Sequence, residues 1–355
     1  MKRQGWTAVV AALFAAACIV VAVVLPVPFV VWGPGATTDL LAAGDKPPVQ
    51  VAEGTNTYPT SGRLLLASVT RTGPDDRVSL LGALYAYWDS SHEVVPRTSV
   101  YPSGADAQEI TADEIAQARA AEANATAAAL RSAKIKVDPV PIVEGVNAGG
   151  PAAGKLEVGD IVLGIRYASA SAVVNVQTAA EASAAVASGG VGDQVIFTIL
   201  RGGAKRDVTI TTQVSKLNAD MRVAGVSFAQ GYRYDAAIAY NLDPSVAGID
   251  VGLMLALALY DKVTPDALLK DRVVAGTGSI DANGAVGRVS GVRERVVDAE
   301  RAGASVFLVP AANCAELADV RSTVRVVPVT TLAAAVDALG ALADPAKEKS
   351  VKGCS

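Results

Sequence analysis

The spacing of apolar positions changes several times along the chain, and each change predicts a different kind of element. Residues 7–25 are apolar without a break, no charge falls from Gln4 to Thr38, and Pro26 and Pro28 follow. That run predicts a helix with no polar face, stopped by the prolines. Beyond it, short apolar groups at 49–51, 64–69 and 94–95 predict strands. Thr111-Ala112-Asp113-Glu114 has the spacing of a capping box and opens an alanine-rich helix to Ala133. At Asp138-Pro139 the pattern turns to short alternating runs, with strands at 141–146, 195–200 and 208–212. A second capping box, Thr178-Ala179-Ala180-Glu181, opens a helix to Ser188. Further on, helices and strands mix. An apolar helix at 253–262 is followed by a strand at 274–280, a hairpin turn at Asn283-Gly284, a helix, a strand at 306–309 and a turn at Pro310-x-x-Asn313.

At about 1.5 Å rise per residue, the first run has roughly the reach of a 30 Å bilayer core. Lys2 and Arg3 precede it, and Trp6 and Trp32 sit where interfacial aromatics would. The expectation is an N-terminal transmembrane helix with residues 7–25 in the lipid bilayer, the N-terminus cytoplasmic and the body extracytoplasmic. A cleaved signal peptide is the competing reading, but no Ala-x-Ala site follows the run. Cys18 reads as a membrane-buried cysteine. On this expectation Cys314 and Cys354 lie where disulfides form, and a bridge between them would hold the polar tail 344–355; two free thiols are the alternative.

With 355 residues the chain has room for two domains or three small ones. Apolar residues make up 51% and aromatic ones 5%, so the cores are built from Ala, Val, Leu and Ile. The balance of 31 basic against 35 acidic residues argues against a nucleic-acid partner, which needs a basic stripe. A single histidine, His92, excludes zinc sites of two or three His and leaves one residue for any Ser-His-Asp triad. It lies in the polar segment Ser90-Ser91-His92-Glu93 and reads as a solvated loop residue. No metal or other cofactor is expected.

Gly149, four residues, then Gly154-Lys155 nearly matches a phosphate-binding loop, but Leu156 stands where a Ser or Thr must hold magnesium. Residues 150–165, Gly-Pro-Ala-Ala-Gly-Lys-Leu-x-x-Gly-Asp-Ile-Val-Leu-Gly-Ile, resemble instead the PDZ domain of bacterial envelope proteases. The likeness continues through the helix at Thr178, Gly192-Asp193 and the turn Arg201-Gly202-Gly203, and so covers 137–214. It implies a groove in which a peptide C-terminus or loop adds as a strand. The expected peptide-binding residues are Pro141, Ile142 and Val143 on the strand, with Thr178 and Ala182 on the helix.

The segments 253–262, 274–295 and 302–314 resemble the proteolytic domain of the Lon family. Together with Thr57-Tyr58-Pro59-Thr60-Ser61-Gly62 and Val95-Pro96-Arg97, the chain is similar to bacterial membrane-anchored PDZ–Lon proteins that lack the ATPase module. That family hydrolyses peptides with a Ser–Lys dyad. Its Ser lies in Gly-Pro-Ser-Ala-Gly, where this chain reads Gly248-Ile249-Asp250-Val251-Gly252. Its Lys closes Gly-Gly-x-x-x-Lys, where this chain reads Ser290-Gly291-Val292-Arg293-Glu294-Arg295. Thr277, at a position that helps to hold the lysine in the family, is kept. A guanidinium is no base near neutral pH, and a carboxylate attacks an amide only through a mixed anhydride. Asp250 and Arg295 therefore predict a structural ion pair, with Asp250 also suited to cap its helix. Ser245, in Asp243-Pro244-Ser245, is the alternative nucleophile, Ser290 lacks a base, and Lys262 and Lys270 read as solvated residues after the helix.

The fold class expected is an α+β multidomain chain: anchor at 1–32, N-terminal region at 33–136, PDZ-like β-rich domain at 137–214, Lon-type proteolytic domain at 215–343 and tail at 344–355. The function expected is a degenerate peptidase that binds exported peptides or proteins at the PDZ groove, with a second copy of the chain, in a homo-oligomer, as a further expected partner. An active serine endopeptidase is the alternative.

Overall fold

The structure, a computed structural model, describes residues 3–89, 91–101, 104, 106–170, 172–190, 192–214, 222–243 and 248–354. It divides into two compact units, Met1–Lys134 with Ala236–Ser355, and Ile135–Asp235. The first unit opens with α1 (Arg3–Val24), β1 (Phe29–Asp39), β2 (Val49–Val51), β3 (Arg63–Arg71), α2 (Leu80–Trp88), β4 (Glu93–Pro96) and α3 (Ala107–Ser132). The second unit holds β5 (Asp138–Val146), β6 (Ile161–Tyr167), α4 (Ala179–Ala187), β7 (Gln194–Arg201), β8 (Ala204–Thr211) and β9 (Val226–Arg233). The first unit then resumes with β10 (Ile238–Tyr240), α5 (Gly252–Val263), β11 (Val273–Gly276), β12 (Ser279–Ile280) and β13 (Val286–Gly287). It ends with α6 (Val292–Arg301), β14 (Val306–Pro310), β15 (Arg325–Val329) and α7 (Leu332–Ala343).

The N-terminal expectation is corrected. Among the described residues no helix is long and apolar enough to cross a membrane. The transmembrane helix, the bilayer contact through 7–25 and the extracytoplasmic placement of the body that followed from them are not supported.

The first unit is built on one sheet in the order β15-β14-β11-β3-β1-β4. Strands β3, β11, β14 and β15 run parallel, and β1 and β4 close the edge antiparallel. Strands from the beginning and end of the chain thus share one core. Leu65, Ala67, Ala275, Phe307 and Val309 pack with Val292, Val296 and Ala299 of α6. Alternation along a strand sends Leu64, Leu66, Val274 and Leu308 to the opposite face, where Met254 of α5 lies over Gly276. From Leu253 to Leu259 helix α5 is apolar on all sides because it is covered on all sides, by the sheet and by α3. Ala125, Ala127, Ala128 and Ala129 of α3 are buried, and their small side chains let the two helices approach closely.

Helix α3 starts earlier than the capping box at Thr111 predicted. Asp106 is the cap, accepting from Glu109 N at 2.7 Å, and Thr111 lies inside the helix with its hydroxyl on Ala107 O. Either residue type caps well, and only the chain preceding the helix decides between them. Lys262 is also corrected: it belongs to the last turn of α5 and is half-buried, not solvated beyond it. His92 is partly buried, its Nδ1 3.0 Å from Asp89 Oδ2 and its ring over Gly33, where a Cβ would come within 2.7 Å.

The second unit is an antiparallel sheet, β8-β7-β6-β5-β9, with α4 packed on it. Val143, Val162, Ile165, Ala182, Val186, Val195, Phe197 and Ile210 form its core. Thr178 caps α4, accepting from Glu181 N at 3.1 Å, as its sequence spacing predicts. Lys155 donates to Thr209 O at 3.0 Å, so the near-match to a phosphate loop is a brace between two segments of the unit. Asp160, almost fully buried, receives Nε and Nη2 of Arg201 at 2.6 Å each. Burial pushes its carboxyl up, but the Arg201 hydrogen bond and charge win and hold it below the ordinary range.

Candidate functional site

The buried charges of the first unit meet where α6 begins and α5 begins. Gly291, at φ 68°, makes the left-handed turn into α6; a Cβ there would lie 3.1 Å from Val69 Cγ1. The turn is held from outside by Asn313, fully buried, which accepts from Val289 N at 3.1 Å and donates to Val289 O at 2.7 Å. Sequence reasoning took Asn313 for a turn residue and missed this clamp. Nothing local distinguishes the two roles.

One turn into α6, Arg295 points back under β3. It is 1% exposed, donates Nη1 to Ala67 O and Nη2 to Asp250 Oδ2, and leaves Nε without a partner. Burial lowers the guanidinium to about 10 against the pull of Asp298, so it is a cation at neutral pH. Asp250 lies in a short 3-10 turn, Ile249–Val251, just before α5. Its carbonyl accepts from Thr277 Oγ1 at 3.1 Å and from Gly278 N at 3.0 Å, which fixes the turn. Thr277 thus braces the backbone under Asp250. Asp250 does not cap α5: its carboxylate goes to Arg295, and Leu253 N finds Gly278 O instead. A charged partner binds a carboxylate more strongly than a neutral N–H.

Two further acids line the buried face of α6. Burial raises the carboxyls of both Glu294 and Asp298 above their ordinary values, and each leaves an oxygen unpartnered. Ser290 is exposed, and Ser245 lies outside the described residues. No three acid, His or Cys groups come together as a metal site among the described residues. Cys314 and Cys354 are joined by a disulfide that ties down the tail.

In the second unit the expected groove is displaced. Both edges of β5, which carries Pro141, Ile142 and Val143, are occupied. Ala229 and Gln230 of β9 pair with Ile142 and Pro141, and Val143 N donates to Asp160 O at 2.9 Å. A peptide has no edge of β5 to join. The terminal strand of the sheet is β9, whose outer edge is unpaired among the described residues and which packs beside α4 with Thr178 and Ala182. Gln230 Nε2 donates to Gln177 O at 3.1 Å and ties β9 to the start of α4.

Comparison with known proteins places part of this architecture. Residues 244–340 match the model of the Lon protease (S16) C-terminal proteolytic domain. The chain is similar to Lon protease 2 of Syntrophobacter fumaroxidans, 28% identical over 148 residues that cover 38% of this chain and 18% of that protein. It is also similar to Lon protease 1 of Herpetosiphon aurantiacus, 35% identical over 98 residues, 28% of this chain and 12% of that protein. The chain thus spans under a fifth of the length of these curated relatives, and residues 244–340 are what it has in common with the Lon proteolytic-domain model. Solved structures similar to it include the PDZ domains of SdrC-like proteins. The one from Listeria innocua is 23% identical, covers 26% of this chain and 93% of that one, and has a TM-score of 0.21. The one from Listeria monocytogenes is 22% identical, covers 26% and 90%, and has a TM-score of 0.22.

Proposed function

We propose that this chain is a Lon-type peptidase-family protein that has given up proteolysis and retains peptide binding, with Asp250 and Arg295 at the positions of the family's Ser and Lys. The observation that carries the reading is the Arg295–Asp250 pair in a buried setting. Peptide hydrolysis through a serine needs a hydroxyl and a neutral base beside it. A buried arginine that remains charged offers donors only, and its bond to Asp250 occupies the carboxylate. Arg295, charged at neutral pH, cannot accept the proton that a nucleophile must lose. The peptide-binding surface in this reading is the open edge of β9 beside α4, where a chain end adds as a strand.

Cleavage of denatured casein by the purified chain tests the first half. Wild type is expected to be inert, and Asp250→Ser combined with Arg295→Lys to cut. Cleavage by wild type that Ser245→Ala abolishes would sink the proposal and make the protein an active endopeptidase.

A further inference from the structure

A cleft of about 400 Å³ lies at the far end of α5 from Asp250, about 18 Å away along a 12-residue helix at 1.5 Å per residue. Its walls are the loop 41–47, the β2 residues Val49, Gln50 and Val51, the segment 57–60, and Lys262. Two features of this cleft are unfinished. Among the described residues strand β2 pairs with β10 on one side only, in a sheet of two strands. Lys262 is half-buried and makes no side-chain hydrogen bond or ion pair among the described residues. Two acids act on it without bonding it: Asp39, which accepts from Leu41 N and Leu64 N and pairs with Arg63, and Asp261, which accepts from Leu268 N through Oδ1 and leaves Oδ2 without a hydrogen bond. Desolvation lowers the Lys262 ammonium against the pull of Asp261 and Asp39. A half-buried charge without a partner is costly, and an open strand edge is a template for another strand.

We propose that this cleft binds the C-terminal end of an extended peptide, which adds as a strand to the free edge of β2 and sets its terminal carboxylate on the Lys262 ammonium. A single lysine matches a single negative charge. The lining is roughly half apolar and carries the hydroxyls of Thr57, Tyr58 and Thr60, which suits a short peptide better than a multiply charged phosphate. The site is separate from both the Asp250–Arg295 pair and the β9 edge, and stands whether or not either of those readings holds.

The test reads Lys262 itself, so binding at β9 does not enter. The full chain is acetylated with an amine-reactive ester in the presence of a pool of randomised N-acetyl tetrapeptides, as free acids, as C-terminal amides, or with acetate alone. Labelling is then measured by mass spectrometry of the digest. The acid pool is expected to slow Lys262 labelling by about tenfold, with exposed Lys205 and Lys270 unaffected. Equal protection by the amides, protection by acetate alone, or no protection would each overturn the proposal. Hydrogen exchange of segment 47–53 gives a second reading. The acid pool is expected to slow it in wild type and not in Lys262→Met, and an unchanged effect in the variant would remove the lysine from the site.

Discussion

Replacing Asp250 by Asn keeps the shape of the side chain and removes its charge, leaving Arg295 at 1% exposure with no carboxylate on Nη2. The guanidinium already has Nε unpartnered, and its remaining bond goes to Ala67 O. Breaking a fully buried pair by removing one partner costs about 3–5 kcal/mol. Asp250 is 23% exposed, so water can reach part of the site, and about 2–3 kcal/mol is the better figure. For a unit of this size that corresponds to a fall of about 4–6 °C in its melting temperature. The second half of the experiment adds Arg295→Met. Removing both charges spares the protein a lone buried cation, so the double variant should be more stable than Asp250→Asn alone, within about 1 kcal/mol of wild type. Differential scanning calorimetry at neutral pH reads all three. A single variant that melts within about 1 °C of wild type, or a double variant weaker than the single, would show that the pair does not hold the two segments together.

Asn313→Ala strips Val289 of both hydrogen bonds in a buried position and should cost about 2–3 kcal/mol in urea unfolding; a loss under about 0.5 would deny the clamp. Glu294 and Asp298 bind their protons more tightly folded than unfolded, so this part of the stability is present at low pH. It declines as pH rises from the ordinary carboxyl values of 4.5 and 3.8 through the raised ones. Glu294→Gln should therefore gain on wild type as pH rises through that window, and a constant difference from pH 4 to 8 would refute the burial argument. Thr178→Ala removes the cap of α4 and should destabilise the second unit by about 1 kcal/mol in thermal unfolding, whereas Thr111→Ala should do almost nothing. Cys314→Ser with Cys354→Ser opens a loop of 40 residues and should lose up to about 4 kcal/mol; an unchanged urea midpoint would show that the bridge constrains nothing.

What the sequence alone determined was local or compositional. The cap at Thr178, the turn at Asn283-Gly284 with Gly284 at φ 87°, and the apolar run Leu253–Leu259 of helix α5 follow from residues within a few positions of each other. That Arg295 cannot serve as a base was equally legible, because a charged guanidinium offers donors only. Only the tertiary structure decided the pairings across distance. It joined β1 and β3 to β11, β14 and β15, more than 200 residues later in the chain, into one sheet. It made β9 rather than β5 the open edge, which a strand's own residues do not reveal because the edge is set by which segments pair beside it. It also turned Lys262 into a half-buried cation lining the same cleft as β2, which is paired on one side only among the described residues. Burial and edge exposure belong to the packing of distant segments, and a side chain's own sequence neighbours carry no record of what is packed against it.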